Sequence, residues 1–155
     1  MGALRLDVVT IFPDYLKVLD LSLIGRAAGD GLITPVVHDL REWADDRRRT
    51  VDGPPVGGGA GMVMRPDVWG RALDRVLAAP IGGAATSGGT APRTGGAARR
   101  VLVMPAPSGD LFTQRTAEDL AGADQIVFAC GRYEGIDARV AEHYRDAGVE
   151  VRELS

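Results

Sequence analysis

Hydrophobic positions along this chain fall into short blocks whose period switches between that of a strand and that of a helix. Leu4 to Ile11 (LRLDVVTI) is largely aliphatic and β-branched and stops at Phe12-Pro13, which predicts a buried strand. Pro13 suits the first position of a helix through Asp14 to Leu19. Ser22 to Ala28 predicts a second short helix, closed by Gly29 and Gly31. Leu32 to His38 (LITPVVH) predicts a strand that Pro35 places at an edge or a bend. Helical spacing returns over Asp67 to Ala79 through Val68, Ala72, Leu73, Val76 and Leu77. Further on, Val101 to Met104 predicts a strand, Thr113 to Ala121 a helix, and Gln125 to Cys130 a strand. Ile136 to Tyr144 follows as a helix, and Val149 to Val151 begins another strand. Alternating strands and helices predict an α/β domain with a mostly parallel sheet flanked by helices. In such sheets ligands bind outside the carboxyl ends of the strands.

Two stretches break the pattern. Residues 45–62 hold charges followed by glycines, with no periodicity. Residues 80–98 (PIGGAATSGGTAPRTGGAA) carry too little apolar surface to offset ordering entropy, which predicts a flexible insertion. The chain contains no internal repeat.

Composition narrows the class. A chain of 155 residues, 45% hydrophobic and 25% charged, suits one globular domain with a real core. No apolar run approaches the roughly 20 residues needed to cross a membrane. Met1 to Arg5 leads into the first strand without a signal-peptide apolar region. Cys130 is the only cysteine, so an internal disulfide is excluded, and a cytoplasmic protein is expected. A net charge of −3 excludes a broadly basic nucleic-acid coat and leaves room for a local basic patch. Lysine and arginine together number 18 and Lys17 is the sole lysine, a bias towards GC-rich codons. Arginine is therefore informative only where it clusters.

Three segments could carry chemistry, each in a loop. Met104-Pro105-Ala106-Pro107-Ser108-Gly109 follows a strand; its prolines and glycine predict a stiff turn that lets a ligand lie against the backbone. An ordinary strand-to-helix connection is the alternative. Cys130-Gly131-Arg132-Tyr133-Glu134-Gly135-Ile136-Asp137 sits between a strand and a helix. Gly131 allows close approach, Tyr133 could pack on a planar ring, and Glu134 could accept from an amine or hydroxyl. A turn with a capping acid is the alternative there. Cys130 reads as a small buried hydrophobe, since no partner base is evident. The third segment is Asp45-Asp46-Arg47-Arg48-Arg49-Thr50-Val51-Asp52, followed by Gly57-Gly58-Gly59-Ala60-Gly61-Met62. Its arginines could hold phosphates and its glycines could fold over a ligand, or both could be solvated surface. No Gly-Lys-Ser/Thr follows, so it is not a P-loop. His38 and His143 are isolated and without metal-ligand spacing, and no metal site is expected. The residues alone reach an α/β domain with a ligand site at 104–109 and 131–137, and stop short of a reaction.

Several of these segments, in order, resemble a known family. Asp7 to Pro13 (DVVTIFP), Gly25-Arg26-Ala27 with Gly31-Leu32, Leu40-Arg41, Asp46 to Asp52, Gly57 to Met62 and Cys130 to Asp137 (CGRYEGID) are similar to the bacterial tRNA (guanine-N1)-methyltransferases of the trefoil-knotted SPOUT class. The resemblance implies methyl transfer from S-adenosylmethionine to N1 of the guanine immediately 3′ of the tRNA anticodon, by a homodimer with sites at its interface. It places Met104, Pro105, Ala106 and Pro107 on one wall of the cofactor pocket and Gly131, Tyr133, Glu134 and Gly135 on the neighbouring loop. It turns Arg47, Arg48, Arg49, Gly57, Gly58 and Gly59 towards tRNA or the partner subunit.

The chain departs from the family at Ala60, where proline is usual, at Val56, where tyrosine is usual, and in the length of the 80–98 insertion. Glu153-Leu154-Ser155 resembles the start of the family's Ser-Ile-Gly-Asp-Tyr cofactor loop, which makes Ser155 a cofactor-binding candidate. The resemblance implies that the knot closure, the catalytic aspartate and the C-terminal tRNA-binding domain lie beyond Ser155. No catalytic residue is then expected within 1–155, the knot is expected to be incomplete, and the fragment alone is expected to be inactive. The alternatives are a non-catalytic RNA- or partner-binding α/β module and an unrelated nucleotide-binding domain.

Overall fold

A computed structural model describes residues 2–81 and 96–155 of the chain, so most of the expected insertion at 80–98 lies outside the described residues. Strands β1 (Leu4–Thr10), β2 (Ile33–Asp39), β5 (Arg100–Asp110), β6 (Gln125–Ala129) and β7 (Glu150–Leu154) form one sheet in the order β2-β1-β6-β5-β7. Every neighbouring pair is parallel. Pro35 lies on the edge strand β2, where its missing N–H leaves no ladder bond unmade. Helices α1 (Ser22–Gly29), α2 (Pro66–Leu77), α3 (Gln114–Leu120) and α4 (Arg139–Asp146) connect the strands, as the alternating pattern predicts.

The central strands are apolar on both sides, as buried parallel strands require. Leu102 and Met104 of β5 join Val9 of β1 and Val127 of β6 beneath α2 and α4. Val101 and Val103 point the other way, towards Leu120 of α3 and Ile126. Helix α2 explains its own position. Val68, Trp69, Ala72, Leu73 and Val76 form one stripe at i, i+1, i+4, i+5 and i+8, all buried. Burying each of its larger side chains contributes about 1.5–3 kcal/mol. Tyr144 ties α4 to α2 through Gly70 O (3.0 Å) and Asp74 Oδ1 (2.7 Å).

Four elements differ from their sequence expectation. Pro13–Asp20 is a 3₁₀ helix that Leu21 ends by turning extended. Neither it nor α1 buries a residue. Within the aperiodic 45–62 segment, β3 (Asp52–Gly53) pairs antiparallel with β4 (Val63–Met64), which lies just beyond it. The turn expected at 104–109 runs on as part of β5 with an irregularity. Pro105 and Asp110 both register against Leu154, so residues 106–109 loop out between them. Helix α4 starts at Arg139 and not at Ile136, because the backbone of 134–137 is committed to Met62 and Met64.

Candidate functional site

Strands β5 and β6 are neighbours (Val103 beside Phe128), so the segments leaving their carboxyl ends must meet. They enclose a cavity of about 460 Å³, within the range of small-molecule sites. Met104, Pro105, Ala106 and Pro107 line one side of it. Gly131, Tyr133, Glu134 and Gly135 line the other, beside Arg132 and Ile136. Every residue expected here from 104–107 and 131–135 is therefore brought together. Glu153, on β7, completes the wall and is ion-paired with Arg145 at 2.7 Å. Sequence reasoning missed it, since only the register of β7 against β5 reveals it.

Ser155 lies elsewhere. Its N–H donates to Asp110 O and its carbonyl accepts from Phe112 N–H, each at 2.9 Å. It lines a second, apolar cavity of about 430 Å³ beside α3, with Phe112, Leu120 and Phe128.

The 131–137 loop is held in an unusual conformation. Tyr133 has φ +59°, a left-handed backbone that a bulky residue adopts only when its surroundings impose it. Three constraints do so here. Glu134 N–H donates to Met62 O (3.0 Å), Gly135 N–H to Arg132 O (3.1 Å), and the Arg132 guanidinium stacks 5.5 Å over Phe12. Tyr133 remains 48% exposed beside the cavity. The Glu134 carboxylate forms no hydrogen bond or ion pair among the described residues. A Cβ on Gly131 would sit 3.3 Å from Ile136 Cγ1, so a branched side chain there crowds the wall itself. Cys130 is half-buried, and burial pushes its thiol pKa up, which keeps it protonated and unreactive.

The arginine run divides. Arg49, with φ +54°, turns back on the protein: its Nε donates to Arg41 O (3.1 Å), and its carbonyl oxygen accepts from Arg41 Nη1 (3.0 Å). Asp46 shapes the turn by accepting from Thr50 N–H (2.7 Å) and Thr50 Oγ1 (2.6 Å). Arg47 and Arg48 project from that turn, exposed and without an ion pair among the described residues. Gly57, Gly58 and Gly59 follow with φ of +89°, +85° and +121°, a run of left-handed backbone that only glycine adopts without strain.

His38 is not isolated, contrary to the sequence reading. Its Nε2 lies 2.7 Å from Oδ1 of Asp7, which is completely buried in β1. Arg5 binds both oxygens of the same carboxylate (2.8 and 2.9 Å), and Gln125 Nε2 donates at 2.7 Å. Burial alone would raise the Asp7 pKa; the bonds from His38, Arg5 and Gln125 outweigh it and hold the carboxyl below the usual carboxylate range. This network joins β1, β2 and β6 to α2, and none of its residues lines the 104–135 cavity. Among the described residues no group of three or more His, Cys, Asp or Glu could hold a metal ion, and no helix is long and apolar enough to cross a membrane.

A parallel sheet covered by helices on both faces, with a cavity at the carboxyl ends of β5 and β6, defines an α/β domain of the doubly covered type. The model of the tRNA (guanine-1)-methyltransferase TrmD family matches residues 4–153, and the chain belongs to that family, one of the SPOUT class. It is 56% identical over 152 residues to a tRNA (guanine-N(1)-)-methyltransferase of Kineococcus radiotolerans, covering 98% of this chain and 50% of that protein. Proteins of the same name from Bifidobacterium longum (49% over 154 residues; 98% of this chain, 53% of the relative) and Rhodococcus jostii (53% over 149 residues; 96% and 57%) match similarly. The chain thus spans about half the length of the curated relatives it matches.

Proposed function

We propose that the protein to which this chain belongs transfers a methyl group from S-adenosylmethionine to N1 of a tRNA guanine, the one immediately 3′ of the anticodon. The observation that carries the reading is the meeting of Met104–Pro107 with Gly131–Gly135 around one cavity, in a chain of this family. The cavity suits the cofactor. Its prolines offer backbone with little side chain in the way, the Tyr133 ring can cover a flat base, and the Glu134 carboxylate, without a partner among the described residues, can accept from an ammonium or ribose hydroxyl. Bound there, the cofactor supplies a methyl on a sulfonium that is already a good leaving group.

The residues of this chain would serve mainly to position, which is the principal demand of an in-line transfer. Guanine N1 carries a proton, so a general base is also required. Glu134 and Glu153, the carboxylates at the cavity, are read as binding and structural groups, and the base is assigned outside 1–155. On this assignment residues 1–155 by themselves are proposed not to carry out the transfer. Arg47 and Arg48 would contact tRNA phosphates, with Gly57–Gly59 folding over the bound RNA, in the cytoplasm. The active form is proposed to be a homodimer, with the trefoil knot of the class in each subunit. The exposed Phe12, Tyr15, Val18, Leu21, Leu23 and Ile24 support a partner there, because two helical segments that bury nothing leave them uncovered.

Calorimetric titration of the full-length protein with S-adenosylmethionine tests the cofactor assignment. Gly131→Val should abolish binding, since the added methyls crowd Ile136 and the cavity. Unchanged affinity would make the loop structural and remove the basis of the proposal.

A further inference from the structure

The glycine-rich segment and the candidate cofactor loop are laced together. Glu134 N–H donates to Met62 O (3.0 Å), Met64 N–H to Gly135 O (2.9 Å), and Asp137 N–H to Met64 O (3.2 Å). The lacing brings the backbone of Gly61 directly against the side chain of Glu134. A Cβ added at Gly61 would lie 2.6 Å from Glu134 Cγ, 2.7 Å from Oε1 and 3.0 Å from Cδ, all inside van der Waals contact. The carboxylate has no hydrogen-bond or ion-pair partner among the described residues, so no electrostatic contact within them fixes its direction. Its place at the cavity wall depends on the backbone tether and on the bare face of Gly61.

We infer that Gly61 is a positioning residue for Glu134: its missing side chain leaves the space in which the carboxylate lies at the cavity. Any side chain at position 61 turns the carboxylate away and leaves the Met104–Pro107 wall intact. The inference rests on the reading of this cavity as the S-adenosylmethionine site. It also gives the glycine-rich segment a task besides facing RNA, because a movement of Gly61 is felt directly at Glu134.

Gly61 has φ +86°, so Gly61→Ala also introduces backbone strain unrelated to Glu134. Gly148 supplies the control. It has φ +83° and nothing within 4 Å of an added Cβ, and it lies in the turn between α4 and β7. The experiment compares the full-length wild type with Gly61→Ala, Gly148→Ala, Glu134→Ala and the Gly61→Ala/Glu134→Ala double variant. Each is titrated calorimetrically with S-adenosylmethionine and unfolded thermally.

Gly61→Ala should weaken binding by about tenfold or more, matching Glu134→Ala, as expected for loss of one charge-assisted hydrogen bond. Gly148→Ala should bind as the wild type does. The double variant should bind no more weakly than Glu134→Ala alone, because no carboxylate remains to be displaced. In unfolding, Gly61→Ala should lose more stability than Gly148→Ala, and the excess should vanish in the Glu134→Ala background. Wild-type affinity in Gly61→Ala, or a loss that adds in full to that of Glu134→Ala, would overturn the inference. If the wild type binds no S-adenosylmethionine, the cofactor reading falls, and the unfolding cycle alone decides the role of Gly61: an excess that survives Glu134→Ala refutes it.

Discussion

Two carboxylates, Asp7 in β1 and Glu134 in the loop after β6, show how differently this fold treats an acidic side chain. Asp7 is fully buried and accepts from Arg5, His38 and Gln125, so its lone pairs are satisfied from within the chain. Glu134 is exposed at a cavity, and its carboxylate bonds to nothing among the described residues. A buried charge persists only when neighbouring groups compensate it, which commits it to architecture. An acceptor left open beside a cavity is available to a ligand. The contrast gives Asp7 a part in stability and supports the binding role proposed for Glu134, and substitutions can break it at either end.

The largest effect is expected at Asp7. Asp7→Ala removes one acceptor of the Gln125 amide, which keeps Val76 O, and leaves Arg5 and His38 without their shared partner. Removing one member of a buried pair costs about 3–5 kcal/mol, and the lower end applies because the Arg5 and His38 side chains remain 21% and 20% exposed. Urea unfolding should show that loss. The same network predicts a pH dependence. The folded-state pKa of Asp7 lies below its unfolded value, so its contribution is complete above about pH 4 and disappears as pH falls through the folded pKa. Asp7→Asn should flatten the acid limb of the stability profile. An unchanged limb would mean that other carboxylates govern acid unfolding.

At the other end of the comparison, Glu134→Ala should leave stability within about 0.5 kcal/mol, as for an exposed side chain without partners. Its affinity for S-adenosylmethionine should fall by about tenfold. A stability loss comparable with that of Asp7→Ala, with affinity intact, would reverse the two assignments.

The comparison also marks where the sequence was legible. Periodicity gave the parallel sheet and its order of elements, since aliphatic runs such as Leu4–Ile11 and Gln125–Ala129 have few other uses. The two cavity walls were legible because glycines, prolines and a carboxylate crowd into turns that follow strands. Contacts between distant segments were not. Nothing in the spacing of Asp7, His38 and Gln125 announces a shared network, which arises from the pairing of β1 with both β2 and β6. Likewise, Gly61 reads as one more glycine in a mobile run until the hydrogen bonds of Met62 and Met64 set it against Glu134. The start of α4 was misplaced for the same reason. Local propensity favours helix from Ile136, and a bridge to Met64 overrides it.

The smallest expected effect lies outside both carboxylates and tests whether the arginine run belongs to the site at all. Arg48 is exposed with no ion pair among the described residues, whereas Arg49 is engaged with the Arg41 backbone. An exposed, unpaired guanidinium contributes little to folding, so Arg48→Ala should leave stability and S-adenosylmethionine affinity unchanged. If it meets a tRNA phosphate, its loss releases one fewer counterion on binding. The slope of log affinity against log salt should then shrink by about one unit, with the weakening clearest at low salt. Arg49→Ala should instead disturb the 41–50 turn and show itself in unfolding. A salt slope unchanged by Arg48→Ala would leave that arginine as solvated surface and move the RNA-binding face elsewhere on the protein.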